Sequence, residues 1–181
     1  MKPVAIFLCA LLALASFAQQ AFAAELSVSD KGVGPISAST RFNRNDLQKA
    51  LPQFVVKVGE RSTEGEVFRV LLISDASGLL ATVNPGEGEK GIFSIRITSR
   101  NVRNALGPKL GATYLSVFGT GVATPDCTPG QEEMSGKVIC PHPGSRHVSY
   151  IFAGKSSGPD GTLPPPAVLK NFAIEEIVWL P

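Results

Sequence analysis

The sequence of 181 residues predicts an α+β fold: a mainly antiparallel, strongly curved sheet of about seven to eight strands, with two short helices and one disulfide. Three observations lead there. Strand-like runs at 54–58, 67–73, 79–83 and 93–98 follow one another over short connections, as neighbours in an antiparallel meander do. Helical spacing with start and stop signals occurs in two segments, near 43–51 and 112–119. Two cysteines, Cys127 and Cys140, remain once an N-terminal leader is set aside.

The leader is expected over residues 1–23. Lys2 gives a short basic start, an apolar run extends from Val4 to Phe17, and Ala21-Phe22-Ala23 forms a small-x-small cleavage site. The apolar run is shorter than the roughly 18 residues of a membrane-spanning helix, and no second run of that kind follows. Residues 24–181 are then expected to form a single soluble, monomeric domain exported to the periplasm, long enough to bury a core. Cys9 lies inside the apolar run, and no cysteine stands at the cleavage point, so lipidation is not expected. Charge is near neutral, at 17 basic and 15 acidic side chains, with no basic run or stripe. Nucleic acid is therefore excluded as a partner.

In chain order, 26–30 alternates and forms a first strand, broken by Gly32, Gly34 and Pro35. Asn43 caps a short amphipathic helix with Asp46 in its first turn and Leu47, Ala50 and Leu51 on one face. Pro52 stops it. The strands at 54–58 and 67–73 are joined by a charged turn containing glycine; the second is apolar on both faces and is placed centrally. After 79–83, the segment 93–98 alternates with Phe93, Ile95 and Ile97 expected inward. A second short helix ends at Gly119, with Leu115 and Phe118 at helical spacing.

The segment Gly34-Pro35-Ile36-Ser37-Ala38-Ser39-Thr40 has a faint echo in Gly107-Pro108-Lys109-Leu110-Gly111-Ala112-Thr113, each preceding a short helix. It raises a two-repeat layout as an alternative. Residues 137–140 and 147–152 form strands around a Pro-His-Pro-Gly turn, Gly158-Pro159-Asp160-Gly161 is a turn, and Pro164-Pro165-Pro166 is extended. The last run, 172–179, is a strand with a bulge expected at Glu175-Glu176.

Candidate chemistry gathers in one stretch, 135–152, which holds Cys140 and both histidines. In an oxidising compartment Cys127 and Cys140 form a disulfide, worth roughly 3 kcal/mol for a loop of about 15 residues. A zinc site using Cys140 and His142 is the alternative, and without C-x-x-C it is a poor signature. Gly86-Glu87-Gly88-Glu89-Lys90-Gly91 matches G-x-G-x-x-G in letters, but it joins two strands and carries glutamates where a pyrophosphate would approach. It is assigned to a hairpin loop. His142, Ser145 and His147 make a candidate surface site, since a serine hydrolase needs a hydroxyl and an imidazole base. Ser145 stands in no nucleophile-elbow context, and prolines bracket His142. No catalytic residue, metal ligand or cofactor is assigned.

The chain resembles the sigma-E (RpoE)-regulated envelope lipoprotein family of Gram-negative bacteria, a domain family of unknown function. The likeness rests on Gly32-Val33-Gly34-Pro35-Ile36, Phe93-Ser94-Ile95-Arg96-Ile97-Thr98-Ser99, Ser135-Gly136-Lys137-Val138-Ile139-Cys140-Pro141-His142-Pro143-Gly144-Ser145, Gly158-Pro159-Asp160-Gly161 and Ile177-Val178-Trp179. It implies envelope-stress involvement, and the missing lipobox cysteine sets this chain apart as a soluble periplasmic relative. The functional expectation is a non-catalytic envelope accessory or binding module with a periplasmic protein or other envelope partner. The alternatives are an envelope hydrolase using His142 or His147 with a nearby serine, and an inhibitor-like module presenting the loop 128–139.

Overall fold

A computed structural model describes residues 25–119 and 126–181. The expected leader over 1–23, with Cys9, lies outside them. Two sheets are present among the described residues. The small one has three strands in the order β2-β1-β7, with β1 (Ser27–Ser29), β2 (Gly32–Val33) and β7 (Arg103–Asn104). The large one has eight strands: β3 (Val55–Thr63), β4 (Glu66–Asp75), β5 (Gly78–Pro85), β6 (Ile92–Ile97), β8 (Thr128–Pro129), β9 (Lys137–Pro141), β10 (Val148–Ala153) and β11 (Ala173–Trp179). Their spatial order is β3-β4-β5-β6-β11-β10-β9-β8, antiparallel throughout.

That order consists of two four-strand meanders meeting where β6 pairs with β11. Each is entered from a short helix, α1 (Arg44–Ala50) before β3 and α2 (Tyr114–Phe118) before β8. The two segments of the sequence echo, 34–40 and 107–113, thus each precede the helix that leads into one of these meanders. A single-turn helix, α3 (Pro166–Leu169), sits between β10 and β11, and Pro166 takes its first position, where no N–H is needed.

Local chemistry explains the helix bounds. Asn43 accepts hydrogen bonds from the N–H groups of Asn45 and Asp46 at the start of α1. Thr113 accepts from the N–H of Ser116, and Gly119 takes φ 71° at the end of α2. Side chains alternating off the sheet build the core on one face, with Val56, Ile73, Ala81, Ile97, Ile177 and Tyr150 in adjacent strands. Leu47 of α1, Phe118 of α2, Leu169 of α3 and Val28 of β1 cover that face.

Three details depart from expectation or refine it. Residues 59–63 are strand, not turn; only Glu64 and Gly65, both at positive φ, link β3 to β4 as a two-residue hairpin. Phe93 is 63% exposed, not inward. A bulge pairs Ile92 with Pro85 and Ser94 with Asn84, so Ile92 takes the buried place and Phe93 is left unpaired and turned out. The expected bulge in the last strand is present, with Ile151 opposite Glu176, Phe152 opposite Ile174, and Glu175 unpaired. Cys127 and Cys140 are disulfide-bonded with Cα atoms 4.2 Å apart, tying β8 to β9. No helix among the described residues is long and apolar enough to cross a membrane.

Candidate functional site

The stretch 142–147 folds into the connection between β9 and β10, and its side chains are committed to holding it there. The Ser145 hydroxyl donates to Asp30 Oδ1 at 2.5 Å and accepts from the backbone N–H groups of His147 and Val148, both at 3.0 Å. Its proton therefore goes to a carboxylate. His147 Nδ1 lies 2.8 Å from the carbonyl oxygen of Leu180, which fixes Nδ1 as the protonated nitrogen, and its ring tilts against Trp179 at 6.5 Å. His142 Nδ1 accepts from the N–H of Gly144 at 2.9 Å, and its ring packs edge-on against Tyr150 at 5.6 Å.

The turn thus gives the two imidazoles different anchors, and neither hydrogen bonds to a serine hydroxyl among the described residues. Burial lowers the His142 pKa, against upward pulls from the Leu106 carbonyl and the Asp30 charge. Asp30, Ser145 and His147, with Pro143, Gly144 and Arg146, border an open depression of about 400 Å³; His142 does not line it.

A second site, absent from the sequence reading, lies on the opposite face of the large sheet. Arg61 of β3 and Glu176 of β11 are four strand positions apart, which in a flat sheet means about 19 Å. Instead both border one basin of about 220 Å³ with Thr82, Arg96 and Thr98. The sheet curls until the β3–β4 hairpin arches over this face. At the arm's tip the Thr63 hydroxyl donates to Glu133 Oε2 at 3.4 Å, reaching the one-turn 3-10 helix Glu132–Met134 that precedes β9. Along the arm, a Cβ on Gly59 would stand 2.8 Å from Leu72 Cδ1, so the backbone there lies close over that side chain. Val70 and Ile151 are buried outside the main core cluster, on this inner face.

The chemistry of the basin is charged and partly dry. Arg96 donates through Nε to Glu176 Oε2 at 2.6 Å and through Nη2 to Glu176 Oε1 at 2.8 Å, a two-pronged pair with side chains 20% and 11% exposed. Arg96 Nη2 also lies 3.5 Å from Met134 Sδ. Lys137 Nζ sits 2.5 Å from Glu175 Oε2 and 3.7 Å from Glu176 Oε1. Burial pushes the Glu176 carboxyl up, but the Arg96 hydrogen bonds and charge, helped by Lys137 and Arg61, outweigh it and hold the pKa below its ordinary value of 4.5. Nearby, Asn84 Nδ2 donates to the Ser94 hydroxyl at 2.9 Å, while the buried Asn84 Oδ1 has no hydrogen-bond partner among the described residues.

At the tip, Glu64, Glu132 and Glu133 crowd together. A hydrogen bond with Glu64 and its charge, with Glu133 adding to them, raise the Glu132 pKa. None of this was visible in sequence, because Arg61, Arg96 and Glu176 lie on three different strands: the β6–β11 pairing brings Arg96 to Glu176, and the curl brings Arg61 to both.

A family profile described as "Protein of unknown function (DUF1131)" matches residues 13–181. The chain is 26% identical over 160 residues to the uncharacterized protein YfeY of Escherichia coli strain K12, covering 87% of this chain and 81% of that protein. The crystal structure of YfeY superimposes with a TM-score of 0.68 and 26% identity, over 87% of this chain and all of that one.

Proposed function

The chain belongs to the DUF1131 family of proteins of unknown function, and from that premise we propose that it is a non-catalytic binding module of the bacterial cell envelope. On this reading residues 1–23 direct export, residues 24–181 work in the periplasm without a lipid anchor, and the role lies in the envelope-stress setting of the sigma-E-regulated lipoproteins it resembles. The observation that carries the binding role is the basin beneath the arm. It collects Arg61, Arg96 and Glu176 away from the core, while the serine and histidines that hydrolysis would need are held apart as turn anchors.

Photo-crosslinking in living Gram-negative cells tests it. A photoreactive residue at Thr98, on the rim of the basin, is expected to give a reproducible adduct that the same residue at Lys49, exposed on α1, does not. Equal labelling from both positions, or none, would count against the basin. The rival hydrolase reading requires Ser145 to leave Asp30 and meet an imidazole. Replacing His142 and His147 together by alanine is expected to leave the Thr98 adduct in place.

A further inference from the structure

The occupant of the basin can be narrowed from its donors, and this step rests on the binding role just proposed. The lining of the basin holds two guanidiniums, Arg61 and Arg96, and one carboxylate, Glu176, so the lining carries an excess of one positive charge; Lys137 and Glu175 pair beside it, and the glutamates of the arm's tip stand beyond Thr63. Glu175 and Glu176 are already engaged by Arg96 and Lys137. Arg61 has no acidic partner within salt-bridge distance and no hydrogen bond among the described residues, although a guanidinium presents five N–H donors in a planar fork. Arg96 spends Nε and Nη2 on Glu176 and leaves Nη1 without a partner among the described residues. The hydroxyls of Thr82 and Thr98 complete a lining of free donors.

Size and geometry then select among anions. About 220 Å³ is below the range of roughly 300 Å³ and upward typical of drug-sized ligands, so the basin suits a molecule of few heavy atoms. Phosphate sites commonly add a helix N-terminus or a nest of backbone N–H groups. Here Thr82 and Arg96 belong to paired strands inside the sheet, whose amides serve their neighbours. A single excess charge also suits a carboxylate better than a phosphate dianion. We propose that the basin is a binding subsite for a small organic carboxylate, which takes the Arg61 fork with both oxygens and meets the Thr82 and Thr98 hydroxyls beside it.

Arginine side-chain NMR tests this on the full domain, with sodium acetate and sodium succinate as probes, sodium phosphate as the rival, and sodium chloride at matched ionic strength as control. Saturable shifts of the Arg61 Nε–H and of the Thr82 and Thr98 amides are expected with at least one carboxylate and not with chloride. Arg61→Gln should weaken that binding by about tenfold or more, the loss of a charge-assisted pair, without moving the melting temperature. Arg61→Lys, which keeps the charge without the fork, should fall between. Absence of a saturable carboxylate response, tighter binding of phosphate, or unchanged affinity in Arg61→Gln would overturn the carboxylate subsite. A position-specific Thr98 adduct in cells alongside such a failure would discard the ligand class and keep the binding module.

Discussion

Glu176 shows how one side chain can hold charge in a half-dry place. It is 8% exposed and keeps its carboxylate because Arg96 grips both oxygens. Its folded pKa lies below the ordinary value, so the stability it contributes is fully present above the unfolded carboxylate pKa and is lost as pH falls through the folded one. Glu176→Gln should cost about 1.5–3 kcal/mol at pH 7, the range for hydrogen bonds to charged groups. The difference between wild type and variant should stay constant above about pH 5 and shrink on acidification through the carboxylate range; urea titrations from pH 7 to pH 3 check both. Single residues were legible in the sequence where their partners are local. The Asn43 cap and the Gly119 stop are read from neighbours two to four positions away. Phe93 was not legible, because its direction depends on a bulge set by Pro85 on another strand.

At the scale of elements, the β3–β4 arm is the feature that hydrophobic patterning concealed. Beyond Val58 the strand runs Gly59-Glu60-Arg61-Ser62-Thr63, which carries no alternating apolar face because it lies beyond the main core. Its inner face meets a polar basin, and its tip meets three glutamates. A carboxyl whose pKa is raised by its neighbours favours the closed arrangement while protonated, and that preference is lost as pH rises through the raised value. Glu132→Gln should therefore slow amide exchange at 62–66 relative to wild type at pH 7, with little difference near pH 4; hydrogen exchange by mass spectrometry reads this directly.

The end of β10 has the opposite sensitivity. A Cβ on Gly154 would stand 2.2 Å from the buried Phe172 ring, so Gly154→Ala should destabilise by roughly 1–3 kcal/mol through overpacking, measured as a lowered urea midpoint.

The whole molecule was legible in outline. Alternating runs joined by short turns imply an antiparallel sheet, and the meanders 55–97 and 128–179 follow from that rule of adjacency. What sequence patterns could not supply was the seam between them and the depth of the curl, since both depend on contacts between residues 70 or more positions apart, such as Thr63 with Glu133 and Arg96 with Glu176. The disulfide acts far from that seam, between the last two strands of one edge. Changing Cys127 and Cys140 together to serine should lower stability by about 3 kcal/mol in the chain-entropy account while preserving the sheet's circular dichroism. In the unsubstituted protein, alkylation before reduction should add no mass at either cysteine.

The pairing of β11 between β6 and β10 has a consequence in time. Strands β3 to β6 can assemble as soon as they exist, but the strand that joins them to the other half follows every other strand in the sequence. A chain emerging from a ribosome or a translocation channel cannot close its sheet until residues 173–179 are free. Until then β6 and β10 each present an open edge able to pair with other chains. Such a chain gains by closing its sheet in one late step. Pulse-labelled exchange during refolding should find the β6–β11 amides protected together with those of β10–β11, and later than those of the β4–β5 pair.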